Sequence, residues 1–154
     1  MTNSTNISVK KMTNHDFSCW LEMRALLWPD CPTEKHIQEI LEQLDSPLTL
    51  QAFIVEEQNE PIGFLEAAIH QHAHKQFGQA GYIEGWFVKD LYRMKGYGKI
   101  LIEAAETWTA EMGYEQVASD TEDFNVGSIV AHGKLGYLEQ FRADGEVKFL
   151  KSLC

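Results

Sequence analysis

Arg93-Met94-Lys95-Gly96-Tyr97-Gly98 is a cationic, glycine-bearing run between an apolar segment ending at Val88 and a helical stripe beginning at Ile100. A run of this kind can hold a phosphate. Backbone N–H groups at a helix start lack intrahelical partners, and the helix dipole adds positive potential there. Glycines at 96 and 98 remove the Cβ atoms that would keep an anion off the main chain. The pattern is R-x-x-G-x-G. Neither G-x-x-x-x-G-K-[ST] nor a helix-opening G-x-G-x-x-G occurs, which excludes the commonest nucleotide fingerprints. A second grouping, His70-Gln71-His72-Ala73-His74, would put three imidazoles on one face of an extended segment, as zinc ligands are arranged. The plainer reading, a polar strand end and loop, is preferred, and no metal is expected.

Strand and helix signals alternate around these residues, without repeats or linkers. Ile7–Met12 alternates as a first strand. Thr13 or Asn14 can cap a helix carrying Phe17, Trp20, Leu21, Arg24, Leu27 and Trp28, stopped by Pro29. Thr33 opens another, with Ile37, Ile40, Leu41 and Leu44 on one face. Leu50–Glu56 and Ile62–His70 form a hairpin through Gln58-Asn59-Glu60, residues 70–80 a loop, and Tyr82–Val88 a strand. The stripe Ile100, Leu101, Ala104, Ala105, Trp108 and Met112 ends at Gly113. Gln116–Ser119 is a short strand, and Asp120 to Asn125 a turn feeding a helix to about Leu135. Tyr137–Arg142 and Glu146–Leu150 close with a hairpin at Asp144-Gly145.

The chain has 154 residues, 44% of them apolar, which suits a single domain spanning residues 1–154. No apolar run marks a signal peptide or membrane span, and three scattered cysteines suit a reducing cytoplasm. With 23 acidic residues against 13 basic ones, the formal net charge is −10. Such a surface repels nucleic acid and favours cationic partners, although acidity also serves solubility alone.

The R-x-x-G-x-G loop, with its preceding strand and following helix, resembles the acetyl-CoA loop of the GCN5-related N-acetyltransferases (GNAT). The element order β-α-α-β-β-β-α-β-α-β-β is that of the same superfamily. The resemblance implies an α+β fold, with a mixed, mostly antiparallel central sheet flanked by helices. Four further strings resemble the aminoglycoside 6'-N-acetyltransferase subgroup: Leu26-Leu27-Trp28-Pro29-Asp30, Phe64-Leu65-Glu66-Ala67-Ala68-Ile69, Ile83-Glu84-Gly85-Trp86-Phe87-Val88 and Ala118-Ser119-Asp120-Thr121. This implies an enzyme moving the acetyl group of acetyl-CoA to the 6'-amine of a cationic aminoglycoside by direct attack. Alternatives are an acetyltransferase for another polyamine or a protein N-terminus, and a CoA-binding regulatory module without catalysis.

Roles follow from the resemblance by position. Glu84 matches a carboxylate beside the acetyl group, able to accept the proton an ammonium must lose before it attacks. Val88 matches the strand end whose N–H meets the thioester carbonyl as an oxyanion donor, with Phe87 beside it against the cofactor. Arg93, Met94, Lys95, Gly96, Tyr97, Gly98 and Lys99 would hold the pyrophosphate, mainly by main chain, and Asn125 the pantetheine arm. Trp28, Glu66, Asp120 and Glu122 would meet the drug, the acids forming a cation-binding rim with Asp123. Trp86 and Tyr92 could line a sugar cleft, but core packing explains Trp28 and Trp86 as well. His132 stands where many of the superfamily carry a Tyr near the CoA sulfur, and could protonate the departing thiolate. Related enzymes pair through their C-terminal strands, which implies a homodimer.

Overall fold

The computed structural model describes residues 6–70 and 79–153. Seven strands form one sheet: β1 (Ile7–Lys11), β2 (Leu50–Glu57), β3 (Glu60–His70), β4 (Ala80–Val88), β5 (Gln116–Glu122), β6 (Leu138–Ala143) and β7 (Glu146–Ser152). Among the described residues four helices accompany them: α1 (Phe17–Leu27), α2 (Thr33–Asp45), α3 (Tyr97–Glu111) and α4 (Val126–Lys134). The spatial order is β1-β2-β3-β4-β5-β7-β6, antiparallel throughout except for β4 beside β5. The element order is the expected one. Among the described residues, no helix is long and apolar enough to cross a membrane.

Alternation along the central strands builds two cores. Ala52 and Ile54 of β2 and Phe64 of β3 face α1 and α2, packing with Trp20, Met23 and Ile40. Phe53, Val55, Leu65 and Ala67 face the other way onto Leu101, Ile102, Ala105 and Trp108 of α3. The sheet is therefore buried on both faces at its centre.

Local signals set most boundaries. Thr13 caps a 3₁₀ turn over Asn14–Asp16, accepting from His15 N–H while Asp16 accepts from Thr13 N–H at 2.9 Å. Gln58 and Asn59 both have positive φ, 51° and 67°, so the first hairpin turn is these two residues and Glu60 already belongs to β3. A further boundary, the end of β5, differs from the sequence expectation. Residues 120–122 do not start a turn; they continue β5, because β7 pairs Asp120 with Lys148, Thr121 with Val147 and Glu122 with Glu146.

Two irregularities in β4 shape the site. Its parallel pairing with β5 covers only Gly81↔Val117 and Tyr82↔Ala118. Its pairing with β3 slips between Glu66↔Gly85 and Ala67↔Ile83, which leaves Glu84 as the extra residue of a bulge.

Candidate active site

The bulge decides where Glu84 points. Gly85 and Phe87 face the α1–α2 side, whereas Ile83 and Trp86 pack on the α3 side. Glu84 breaks this alternation and stands out of the sheet, its side chain 43% exposed. Bulges re-aim single side chains in this way beside active sites. Its Oε1 lies 2.6 Å from Nε2 of His70, the last residue of β3.

Glu84 opens into a cavity of about 510 Å³ walled by the end of α1, the start of α2 and the sheet. Trp28, Asp30, Glu39, Glu66 and Glu122 line it too, with Arg24 and Lys35 as the cations. Arg24 is already spent on Glu66, donating from Nε at 2.7 Å and Nη2 at 3.1 Å. Trp20 donates its indole N–H to the same carboxylate at 2.8 Å. Glu66 therefore lies in the cavity wall with both oxygens engaged. Trp28 closes one side, its ring lying so near the backbone of Gly85 that a Cβ there would come within 2.5 Å of it.

Beyond Tyr82 the far edge of β4 pairs with no strand among the described residues. Lys89 N–H bonds to Ile62 O at 2.8 Å, which makes Val88 and Gly63 a non-hydrogen-bonded pair. In such a pair the amides point away from each other, so Val88 N–H faces the open edge. Its carbonyl faces the same way and accepts from Arg93 Nε at 2.9 Å.

The anion loop follows. Gly96 caps α3 with φ 91°, a left-handed conformation that favours glycine, and Ile100 N–H bonds to Gly96 O. The amides of Tyr97, Gly98 and Lys99 thus precede the helical ladder and are oriented for an anion. Each of the two glycines also has a local structural reason. A Cβ on Gly96 would meet nothing within 4 Å, so its glycine serves the positive φ; at Gly98 a Cβ would press on the Trp86 ring at 3.1 Å. Met94, Lys95 and Lys99 are exposed, whereas the Tyr97 ring is buried in the α3 core. Asn125 caps α4, its side-chain oxygen accepting from Ser128 N–H at 3.1 Å.

His132 is elsewhere. It is 1% exposed, stacked on Phe149 at 4.4 Å between ring centroids and edge-on to Trp86 at 5.4 Å. Nδ1 lies 2.8 Å from Ser128 O, an acceptor only, so it carries the proton; Nε2 then accepts from Ser119 Oγ at 2.8 Å. Burial lowers its pKa below the usual imidazole value. A neutral, enclosed ring whose one N–H is in use has none to give a thiolate. This arrangement does not favour the expected acid role.

Asp120 stands beside the cavity rather than in its lining. Tyr82 donates to its Oδ2 at 2.5 Å and Lys148 at 3.2 Å. Burial, then this carboxylate, raises the Tyr82 pKa and keeps the phenol protonated. Tyr92 sits outside the cavity, under Lys95 and edge-on to Tyr97. His72 and His74 lie outside the described residues. Among those described, no three His, Cys, Asp or Glu side chains are grouped to hold a metal.

Sequence reasoning passed over Arg24, His36 and Glu39 as site residues. A signal existed: Arg24 falls on the apolar stripe of α1, and Glu66 interrupts an apolar strand. Paired opposite charges inside apolar periodicities point to each other.

The profile of the acetyltransferase (GNAT) family matches residues 19–137. The aminoglycoside N(6')-acetyltransferase type 1 of Klebsiella aerogenes is 35% identical over 135 residues, 85% of this chain and 89% of that protein. The structure of the aminoglycoside N-acetyltransferase AAC(6')-Iy with CoA is similar with a TM-score of 0.88 at 28% identity, covering 93% of this chain and 95% of that one. The same enzyme with the bisubstrate analog CoA-S-monomethyl-acetylneamine gives 0.86 at 29% identity, covering 90% and 95%. A carboxylate raised beside an open strand edge and a helix-start anion loop thus sit within a matching profile and a matching fold: the chain belongs to the acetyltransferase (GNAT) family.

Proposed function

We propose that this chain transfers the acetyl group of acetyl-CoA to the 6'-amine of aminoglycosides within a ternary complex, and so confers resistance to them. One juxtaposition carries the reading: Glu84, raised by a bulge into an acidic cavity, stands on the same strand as the outward-facing amide of Val88. Relatives named for this activity, one of them bound to a joined CoA–aminoglycoside analog, support the substrate class.

Acetyl-CoA supplies the activated thioester. The groups suited to hold it are the open edge at Phe87 and Val88, the main chain from Arg93 through Met94, Lys95, Gly96, Tyr97 and Gly98 to Lys99, and the side-chain amide of Asn125. Glu84 takes a proton from the acceptor ammonium, which otherwise has no lone pair for attack. The freed nitrogen bonds to the acetyl carbon as the carbon–sulfur bond breaks, the electron pair leaves on sulfur, and the proton that the new amide nitrogen sheds passes to that thiolate. Val88 N–H donates to the carbonyl oxygen as negative charge gathers there. A thiolate leaves readily near neutral pH and needs no acid from His132. Proximity within the cavity supplies much of the acceleration.

The acceptor is held by charge. Trp28 offers a flat face, and Glu84, Glu122 and the neighbouring Asp120 offer carboxylates to several ammoniums, whereas Glu66 acts through Arg24. We further infer one catalytic domain, a cytoplasmic location and a homodimer; the exposed edge strand β6, with Leu138 68% exposed, supports the last. Neither nucleic acid nor membrane is a partner in this reading.

The test is CoA release by purified protein with acetyl-CoA, comparing kanamycin with a matched drug bearing a 6'-hydroxyl. Turnover confined to the 6'-amine is expected. Equal turnover on both would move the reaction to another amine. No turnover on either, with acetyl-CoA bound, would sink the aminoglycoside reading.

A further inference from the structure

Arg24 and Glu66 are 2% and 4% exposed, a desolvated ion pair in the wall of the acceptor cavity. An apolar pair of equal volume commonly gives a fold as much stability as a buried ion pair does, so the reason for the charges lies in what they hold. Past Glu66, Nη1 of Arg24 reaches Nδ1 of His36 at 2.9 Å. A guanidinium nitrogen only donates, so Nδ1 accepts and the imidazole carries its proton on Nε2. That N–H donates to the Trp28 carbonyl at 3.3 Å, which past the end of α1 also accepts from Cys31 N–H at 3.2 Å.

The Trp28 indole is gripped by the same groups. Arg24 lies over its ring at 4.8 Å, His36 stacks at 6.5 Å and Phe64 meets it edge-on at 6.2 Å. Gly85 beneath it pairs in register with Glu66 and follows Glu84 directly in β4. The chain Glu66–Arg24–His36–Trp28 thus ties the aromatic wall of the cavity to the strand that carries Glu84.

We propose that Arg24 and His36 are positioning residues that fix the Trp28 indole as the wall on which the acceptor's sugar ring seats, in register with Glu84. The proposal rests on the acetyl-transfer reading for its substrate and on geometry alone for the placement of Trp28.

A double-mutant cycle tests it. In His36→Asn the side-chain oxygen can replace Nδ1 as the acceptor for Arg24, but the Trp28 carbonyl loses its side-chain donor and keeps the turn bond from Cys31 N–H at 3.2 Å. The acceptor KM should rise about tenfold, with kcat and the acetyl-CoA KM within about twofold. In a Trp28→Ala background the same change should add less than about twofold, because no wall remains to position. Arg24→Lys, which keeps the charge and loses the fork, should follow the same pattern and takes the place of His36→Asn if that variant is unfolded by circular dichroism. Additive effects, an unchanged acceptor KM, or a parallel rise in acetyl-CoA KM would overturn the proposal. A readout without turnover separates it from the acetyl-transfer reading: Trp28 emission, isolated as the difference from Trp28→Phe, should shift to the red in His36→Asn. Unshifted emission overturns the positioning role even if kanamycin is acetylated, whereas an inactive wild type with the shift present overturns only the reaction.

Discussion

Nε2 of His70 stands 2.6 Å from Oε1 of Glu84, joining the end of β3 to the bulge in β4. An ionised carboxylate only accepts, so the imidazole donates, and its ring is steadied edge-on against Tyr82 at 4.9 Å. Glu84→Gln should lower kcat by about two to four orders of magnitude, the usual worth of a general base. Calorimetry should find acetyl-CoA affinity unchanged. His70→Ala should cost less than Glu84→Gln, since it removes the partner and leaves the carboxylate. Equal losses in the two variants would make His70 the base.

Gly85→Ala puts a methyl where the Trp28 indole now lies, 2.5 Å from its nearest ring atom. The ring must move or the strand must. Overpacking of this kind costs about 1–3 kcal/mol, to be read as a lower urea midpoint. The acceptor KM should rise with it, while that of acetyl-CoA stays put. A variant as stable as the wild type would mean that the wall yields freely.

Local chemistry made part of this site legible from sequence. The anion loop is a contiguous glycine pattern before an amphipathic stripe, and Gly96, Tyr97 and Gly98 stand at a helix start as that pattern implies. The bulge at Glu84 was not legible, because a register slip is a property of two strands and neither carries it alone. Asp120 was read as a turn for the same reason: Asp-Thr-Glu-Asp favours a turn, but pairing with Lys148, Val147 and Glu146 overrides the local preference. The enclosure of His132 was not legible, because spacing along α4 places a side chain on a face without saying what closes over it. Phe149, from the last strand, does so.

His132 gives the fold a pH dependence of known sign. Burial holds its folded-state pKa below the usual value, so the unfolded chain binds the extra proton first. Its contribution is therefore fully present above the unfolded value of about 6.5 and is lost as pH falls below it toward the lowered folded value. Urea midpoints measured from pH 7.5 down to 5 should fall more steeply for wild type than for His132→Gln, which does not titrate. Parallel curves would show that the imidazole is protonated in both states or in neither. The substitution should leave acceptor regiochemistry unchanged, since the ring lies outside the acceptor cavity.

Charge in the cavity makes a separate prediction about the acceptor. Glu122 is exposed at the end of β5 and lines the same cavity as Glu84. Its attraction for a drug ammonium acts through solvent and is screened within about 8 Å at physiological salt. Glu122→Gln should raise the kanamycin KM a few-fold and leave kcat alone, because such binding is equal in ground and transition states. Raising salt should weaken wild-type binding more than that of the variant, so the two KM values converge. The acetyl-CoA KM should be indifferent to Glu122, as the proposed cofactor seat at Val88 and the loop after it requires. A kanamycin KM unmoved by both salt and substitution would leave shape, centred on Trp28, as the basis of acceptor recognition.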